Sequence, residues 1–293
     1  MHETSSGPPA TPLRLLVLDV DGTVSNSRHE ITDATCLAIA RVREAGIRVM
    51  LATGRRYRDV LAVAERLGVT APLVTASGAL VKQPGDHATL FASRFEAGTL
   101  EAVMDTIVGG GHEPVLYTDS YADGFDFLCR SLAPAEPAAA GQGGIGEYLR
   151  RNLGLARVEP ALDRAPPPDA FAGFAMGTHR QMFDLEAALQ AACPGRLSLH
   201  TIRSPRYLDW MCEFAPSGVT KWSGVLQVAR TWGIAAGEIC AVGDDVNDLP
   251  MIRGAGLGIA MGNARPEVLA AADRIVASHD EGGIEQVADL LVA

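Results

Sequence analysis

The chain has 293 residues, a formal net charge of −10 and 47% hydrophobic residues; this length suits two domains of ordinary size, and this composition supplies a sizeable core. The acidic balance argues against nucleic acid as the main partner, because phosphate backbones recruit clustered Lys and Arg, but it leaves room for a small phosphorylated ligand held by a few local cations or a metal. Cys36, Cys129, Cys193, Cys212 and Cys240 are far apart and form no Cys-x-x-Cys pair, so a zinc site or disulfide framework is not expected and buried reduced thiols are.

The opening "MHETSSGPPATP" lacks the basic flank and apolar centre of a signal peptide, and residues 1–11 read as a disordered polar tail. No apolar run approaches the ~18 residues that span a bilayer, so no membrane partner is expected and a cytoplasmic location is. "LRLLVLDV" reads as a strand buried on both faces. "TDATCLAIARVREAG" is a helix with a Thr32 or Asp33 cap and a Gly46 stop. "IRVMLATG" is a second buried strand, "RRYRDVLAVAERLG" a second helix, and "APLVTASGALV" a strand and turn. Strand, helix, strand, helix, strand is the signature of a parallel sheet with helices on its faces.

The pattern loosens after about Gln83. Between Pro84 and Asp209 the chain mixes helices ("FEAGTLEAVMDTIVGGG", "HRQMFDLEAALQAACPG") with strands ("EPVLYTD", "FAGFAMGT", and two within "LSLHTIRSPRYLDWMCEF"). "LAPAEPAAAGQGGIG", Leu132 to Gly146, reads as a mobile loop and "APPPDA" as a linker. The parallel pattern then returns, with a helix in "VTKWSGVLQVARTWG" and strands in "EICAVGDDVNDLPMI", "GLGIAMGNA" and "RIVAS". The expected organisation is one core domain over 12–83 and 210–293, split by a second domain inserted at 84–209.

Ligands of open parallel sheets sit beyond the carboxyl ends of the strands, and four candidate groups fall near such ends or at a helix start. Asp19 and Asp21 in "LDVDGTVSNS" would face one pocket if strand geometry persists to Asp21, with Gly22 allowing a tight turn and Thr23 offering a hydroxyl. Thr53 in "MLATGRR" precedes a helix and could hold a phosphate or simply cap the helix. Lys221 in "PSGVTKWSG" occupies a first helical turn, where the macrodipole disfavours a cation unless an anion is near. "VGDDVNDLPM" places Asp244, Asp245, Asn247 and Asp248 after a strand, an oxygen-rich cluster of the kind that suits Mg²⁺.

Taken together and in this order, these groups resemble the haloacid dehalogenase (HAD) superfamily of aspartate-nucleophile phosphatases. "DVDGT" matches its first motif, "ATGR" its second, Lys221 its third and "GDDVND" its fourth. "EFAPSGVTKWSGV" and "GIAMGNA" are similar to the Cof-type subgroup, in which an α/β cap of subclass IIB lies between the second and third motifs. The resemblance implies a Rossmann-like parallel-sheet core with an inserted α/β cap. It departs at "ASGAL", where Ser77 stands in place of the subgroup's usual Asn.

The resemblance also implies roles. Asp19 would be the nucleophile and Asp21 the general acid and base. Gly22, Thr53, Gly54, Lys221 and Asn247 would hold the phosphate. Asp19, Asp21 (through its backbone carbonyl), Asp244 and Asp248 would hold Mg²⁺. The expected activity is Mg²⁺-dependent hydrolysis of phosphate monoesters of small metabolites, sugar phosphates foremost. A phosphomutase using the same aspartates is the alternative, and a phospho-ligand sensor without turnover a more distant one. Specificity is expected in the inserted domain, where His112, Tyr117, His179, His200, Arg203 and Arg206 are candidate contacts. Trp210, Trp222 and Trp232 read as packing residues. Oligomeric state is not legible.

Overall fold

A computed structural model describes residues 12–136, 143–204 and 206–292 of the chain. The expected tail, residues 1–11, and residues 137–142 of the expected mobile loop lie outside them. The first half of the chain runs β1 (Leu15–Leu18), α1 (Asp33–Glu44), β2 (Arg48–Leu51), α2 (Tyr57–Leu67), β3 (Leu73–Thr75), β4 (Leu80–Lys82), β5 (Thr89–Ala92), α3 (Thr99–Gly109), β6 (Val115–Tyr117), β7 (Phe127–Cys129), α4 (Gly143–Arg151) and β8 (Ala156–Val158). It continues with β9 (Ala172–Gly177), α5 (His179–Ala192), β10 (Leu197–Arg203), β11 (Trp210–Pro216), α6 (Lys221–Thr231), β12 (Ile239–Gly243), α7 (Leu249–Gly254), β13 (Leu257–Ala260), α8 (Pro266–Ala271), β14 (Arg274–Ile275) and α9 (Gly283–Val292).

Two compact units emerge. One, the core unit, comprises the described residues up to Arg55, Asp59–Leu90, and those from Lys221 on; the other, the inserted unit, comprises Arg56–Arg58 and Phe91–Thr220. Residues 210–216 go with the inserted unit because β11 pairs antiparallel with both β10 and β9.

The core unit carries a five-stranded sheet in the order β14-β13-β12-β1-β2, parallel throughout. β1 and β12 lie at its centre and are buried at every position, as strands covered on both faces must be. α1 packs on α9, and α6 on α7, which packs on α8. The sequence signals for α1 are realised: the Thr32 hydroxyl accepts the Thr35 N–H at 3.1 Å, and Gly46 follows the helix at φ +85°. β3 joins the edge of β2 through the Ala52–Val74 bridge and begins a second, three-stranded sheet in the order β3-β4-β5.

The inserted unit is a six-stranded sheet, β10-β11-β9-β6-β7-β8, antiparallel except for the β7–β8 pair. Leu100, Met104 and Ile107 of α3 and Met182, Leu185 and Leu189 of α5 bury one face with Leu116, Ala175, Cys212 and Phe214. The opposite face packs Val115, Phe127, Phe174 and Met176 against Ile145, Tyr148 and Leu149 of α4. That helix corrects the reading of Leu132 to Gly146 as a loop. Residues 143–146 are its first turn, and Gly144 is there for close approach, since a Cβ would stand 2.0 Å from the Leu208 carbonyl oxygen. All five cysteines are free thiols, and no helix among the described residues is long and apolar enough to cross a membrane.

Candidate active site

The sheet order puts β1 beside β12, so the loops leaving their carboxyl ends are neighbours. β1 ends at Leu18, and Asp19 follows it with its N–H still donated to Val242 of β12 at 3.1 Å. The chain then folds back on itself: the N–H groups of Val24 and Ser25 both reach the Val20 carbonyl, at 3.1 and 2.9 Å. Gly22 sits inside that turn at φ +81°, and a Cβ there would lie 2.2 Å from Asp244 Oδ2. The Asp-Gly pair therefore lets the first loop press directly against the acidic loop that follows β12.

Lys221 opens α6 and is buried, its ammonium donating to Asp19 Oδ1 at 2.6 Å and to Asp248 Oδ1 at 2.7 Å. Burial would lower the lysine's pKa, but the two carboxylates outweigh it and hold the ammonium above its ordinary range. This explains a cation at a helix start: its counter-charges are side chains. Asp248 accepts the N–H groups of Asp244 and Asp245 through Oδ2, at 2.9 and 3.1 Å, so both of its oxygens are engaged. It braces the loop that presents Asp244.

Asp19, Asp244 and Asp248 each offer an oxygen within 4.8 Å of the others. Burial, opposed by Lys221, pushes the Asp19 carboxyl up to about 7. Burial and the neighbouring Asp19 and Asp248 charges push Asp244 to about 9. Such a cluster does not stay fully ionised at neutral pH unless further positive charge joins it. An all-oxygen donor set held this close suits a hard divalent cation, and the Oδ1 of Asn247 is a buried atom nearby in the chain without a hydrogen-bond partner.

Asp21 lies near enough to Asp19 for its charge to help raise that carboxyl, and it has a partner of its own. Both of its oxygens are taken by Arg55, whose Nε and Nη2 donate at 2.8 and 2.7 Å. Arg55 was assigned no role from sequence, although "ATGR" contains it; a guanidinium after a strand end in an acidic neighbourhood was the available signal. Thr53 is fully buried, and its hydroxyl oxygen accepts the Arg55 N–H at 3.1 Å. Because α2 begins only at Tyr57, Thr53 is not at a helix start, and Gly54 lies in the bend between them. Thr23 donates its hydroxyl to Asp244 Oδ1 at 3.0 Å.

The other candidates have local occupations. Within the inserted unit, Tyr117 packs on Phe171 and Phe174, and His179 lies between Phe183 and Trp210. His200 stands opposite Glu213 in the β10–β11 ladder, Arg203 ends β10 at the surface, and the Arg206 carbonyl accepts from Arg151. His112 precedes β6, and burial lowers its pKa. In the core unit Arg48 lies over the Trp232 ring at 4.5 Å, and Trp222 packs beside Gly254.

The model of the haloacid dehalogenase-like hydrolases matches residues 16–287, nearly the whole chain. The chain belongs to that family. Among curated relatives, this haloacid dehalogenase-like hydrolase is 29% identical over 278 residues to "Stress response protein YhaX" of Bacillus subtilis, covering 92% of this chain and 90% of that one. It is 28% identical over 276 residues to "5-amino-6-(5-phospho-D-ribitylamino)uracil phosphatase YitU" of the same organism, covering 92% and 94%. Among solved structures, the subclass IIB sugar phosphatase BT4131 superposes with a TM-score of 0.73 at 19% identity, covering 94% of this chain and 98% of that one. At that identity the likeness speaks for the fold: a parallel-sheet core with an α/β insert of the IIB type.

Proposed function

We propose that this haloacid dehalogenase-like hydrolase is a Mg²⁺-dependent phosphatase that cleaves phosphate monoesters of small metabolites, sugar phosphates and related polyol phosphates foremost, through an aspartyl-phosphate on Asp19. The observation that carries the reading is the buried Asp19–Lys221–Asp248 chain of contacts set against Asp244. Burying that many carboxylates around one lysine has no structural return that an apolar cluster would not exceed, and it does present one ionisable oxygen nucleophile beside a cation-binding pair. The phosphatase names of relatives support the same chemistry, and the phospho-ribityl group in YitU's name supports the substrate class.

In this reading Asp19 and Asp244 hold the cation with the Asp21 carbonyl, and Asp248 supports them from behind. When bound, the cation neutralises the carboxylates and polarises the phosphoryl oxygens. An Asp19 carboxylate oxygen attacks phosphorus, the ester P–O bond breaks, and the leaving oxygen takes a proton from Asp21. A water then attacks phosphorus, giving its proton to Asp21 as the bond to Asp19 breaks and inorganic phosphate forms. Lys221, Thr53, the Gly22 and Gly54 backbone and Asn247 hold the phosphoryl oxygens. The Arg55 pair keeps Asp21 as a carboxylate, the form needed against water. For the first step Asp21 lets go of Arg55, whose guanidinium turns to the phosphoryl oxygens, and carries the proton it gained from water in the preceding turnover, or takes one from solvent, to hand to the leaving oxygen.

The test is phosphate release from a panel of phosphorylated metabolites with and without Mg²⁺, using Asp19→Asn as the blank. Metal-dependent release that the blank lacks, together with a base-labile phosphoryl group trapped on the wild-type chain, is expected. Wild-type rates from Asp19→Asn would sink the reading, and an isomeric phosphate ester in place of inorganic phosphate would make the enzyme a mutase.

A further inference from the structure

We propose that Asn263 is a positioning residue for the cation site, and that this is what the asparagine of the "GIAMGNA" stretch contributes. The inference rests on the cation-dependent reading above. Asn263 lies in the loop after β13. Its Nδ2 donates to the Gly22 carbonyl at 2.9 Å and comes within 3.5 Å of Asp244 Oδ2. Its Oδ1 accepts the backbone N–H of His279 at 3.0 Å. One side-chain amide therefore joins the loops that leave the carboxyl ends of β1, β12, β13 and β14.

The chemistry of the contacts selects an amide. The Gly22 carbonyl and the Asp244 carboxylate need a donor, and the His279 N–H needs an acceptor; only Asn, at this length, carries both on one rigid plane. The rest of the surroundings leave Asp244 little freedom. Thr23 holds its Oδ1, Gly22 abuts its Oδ2, and its own carbonyl accepts the Arg265 N–H at 2.8 Å. Asn263 is the link that ties this carboxylate to the peptide chain running from Asp21 into Gly22, the two sides between which the cation is proposed to bind. Besides it, the Thr23 hydroxyl reaches Asp244 from the β1 loop, and Lys221 bridges Asp19 to Asp248, which is not the carboxylate facing Gly22. The contacts of Asn263 are to the Gly22 carbonyl, Asp244 and the His279 N–H rather than to Asp19 or Asp21, so its effect is on the geometry and affinity of the cation site.

The test is Mg²⁺ titration of substrate-free protein by calorimetry. Asn263→Ala should weaken Mg²⁺ binding about tenfold, the lower end of the range for groups that orient metal ligands. Its KM for a phosphate ester at saturating Mg²⁺ should be unchanged. His279→Ala keeps the backbone N–H that Asn263 uses, and should bind Mg²⁺ like the wild type. Asn263→Gln, which keeps the amide one methylene farther out, should fall between and serves the same comparison if Asn263→Ala does not fold. A lowered melting temperature with unchanged Mg²⁺ affinity in Asn263→Ala would show a mere loop anchor and overturn the proposal alone. Wild-type protein that binds no Mg²⁺ would overturn it together with the reading on which it rests.

Discussion

Replacing Lys221 with methionine keeps most of the side chain's volume and removes one buried charge from between two buried carboxylates. Lys221, Asp19 and Asp248 have side chains 2%, 6% and 0% exposed, so solvent screening offers little relief. Removing one partner of such a pair costs about 3–5 kcal/mol, and the low end applies here because Asp19 can take up a proton. The pH dependence follows from the shifts. The folded pKa of Lys221 lies above its ordinary 10.5, so its stabilisation is fully present throughout pH 6–9 and is lost only at higher pH. Asp19 is raised to about 7 from 3.8, so its ionisation destabilises the wild-type fold progressively up to about pH 7 and no further. Without Lys221 its value rises again, and the destabilisation continues past pH 7 at up to ~1.4 kcal/mol per pH unit. Urea unfolding of metal-free wild type and Lys221→Met at pH 6, 7, 8 and 9 should show a deficit of about 3 kcal/mol at pH 7 that grows toward pH 9. A deficit below about 1 kcal/mol, or one that does not change with pH, would refute the argument that this lysine neutralises a buried acidic cluster.

Three further expectations are independent of that one. Gly22→Ala should weaken Mg²⁺ binding and turnover at least ~100-fold, because its Cβ would meet Asp244 Oδ2 at 2.2 Å in a backbone already at φ +81°; calorimetry and steady-state rates check this, and near-normal values would mean the two loops are not pressed together. Mg²⁺ at a hundred times its dissociation constant should stabilise the folded chain by about 2.7 kcal/mol, read as a higher melting temperature that Asp244→Asn does not show. Ser77→Asn should raise the urea midpoint by about 0.5 kcal/mol equivalent, since Ser77 sits at φ 54°, ψ 29°, a region Asn enters more readily than Ser; a lower midpoint would contradict this.

That last position shows how far a single chain's residues can be read. "ASGAL" stood out in the sequence only as a departure from the Cof-type pattern; the structure supplies a reason for Asn there, because the turn between β3 and β4 takes both Ala76 and Ser77 to positive φ. The core strands and the helices α1, α2, α5 and α6 were legible because each repeats an apolar spacing over several turns or fills a whole buried run. β7 and β8 were not, since three residues apiece are too few to show a period. The glycines that open α4 read as flexibility when Gly144 is there for packing. Within the candidate site, Asp19, Lys221, Asp244 and Asp248 lie together as their order along the chain suggested. The Arg55–Asp21 pair and the Asn263 tie were not legible, because which polar side chains meet, 34 residues apart for the first and 241 for the Asn263–Gly22 contact, is set by the sheet order that brings their loops together, and no local pattern encodes that order.

That sheet order has a consequence for synthesis. The central pair of strands joins residues 15–18 to 239–242, so β1 leaves the ribosome with one edge open and waits through the whole inserted unit for its neighbour. The inserted unit has its own sheet and two apolar clusters, and its last residue, Thr220, is made before β12 begins at Ile239. Asp19 thus emerges 202 residues before Lys221. A chain that stops before Lys221 carries Asp19, the proposed nucleophile, without the lysine that pairs with it or the acidic loop that faces it, so on the proposed reading such a copy is silent rather than partly active.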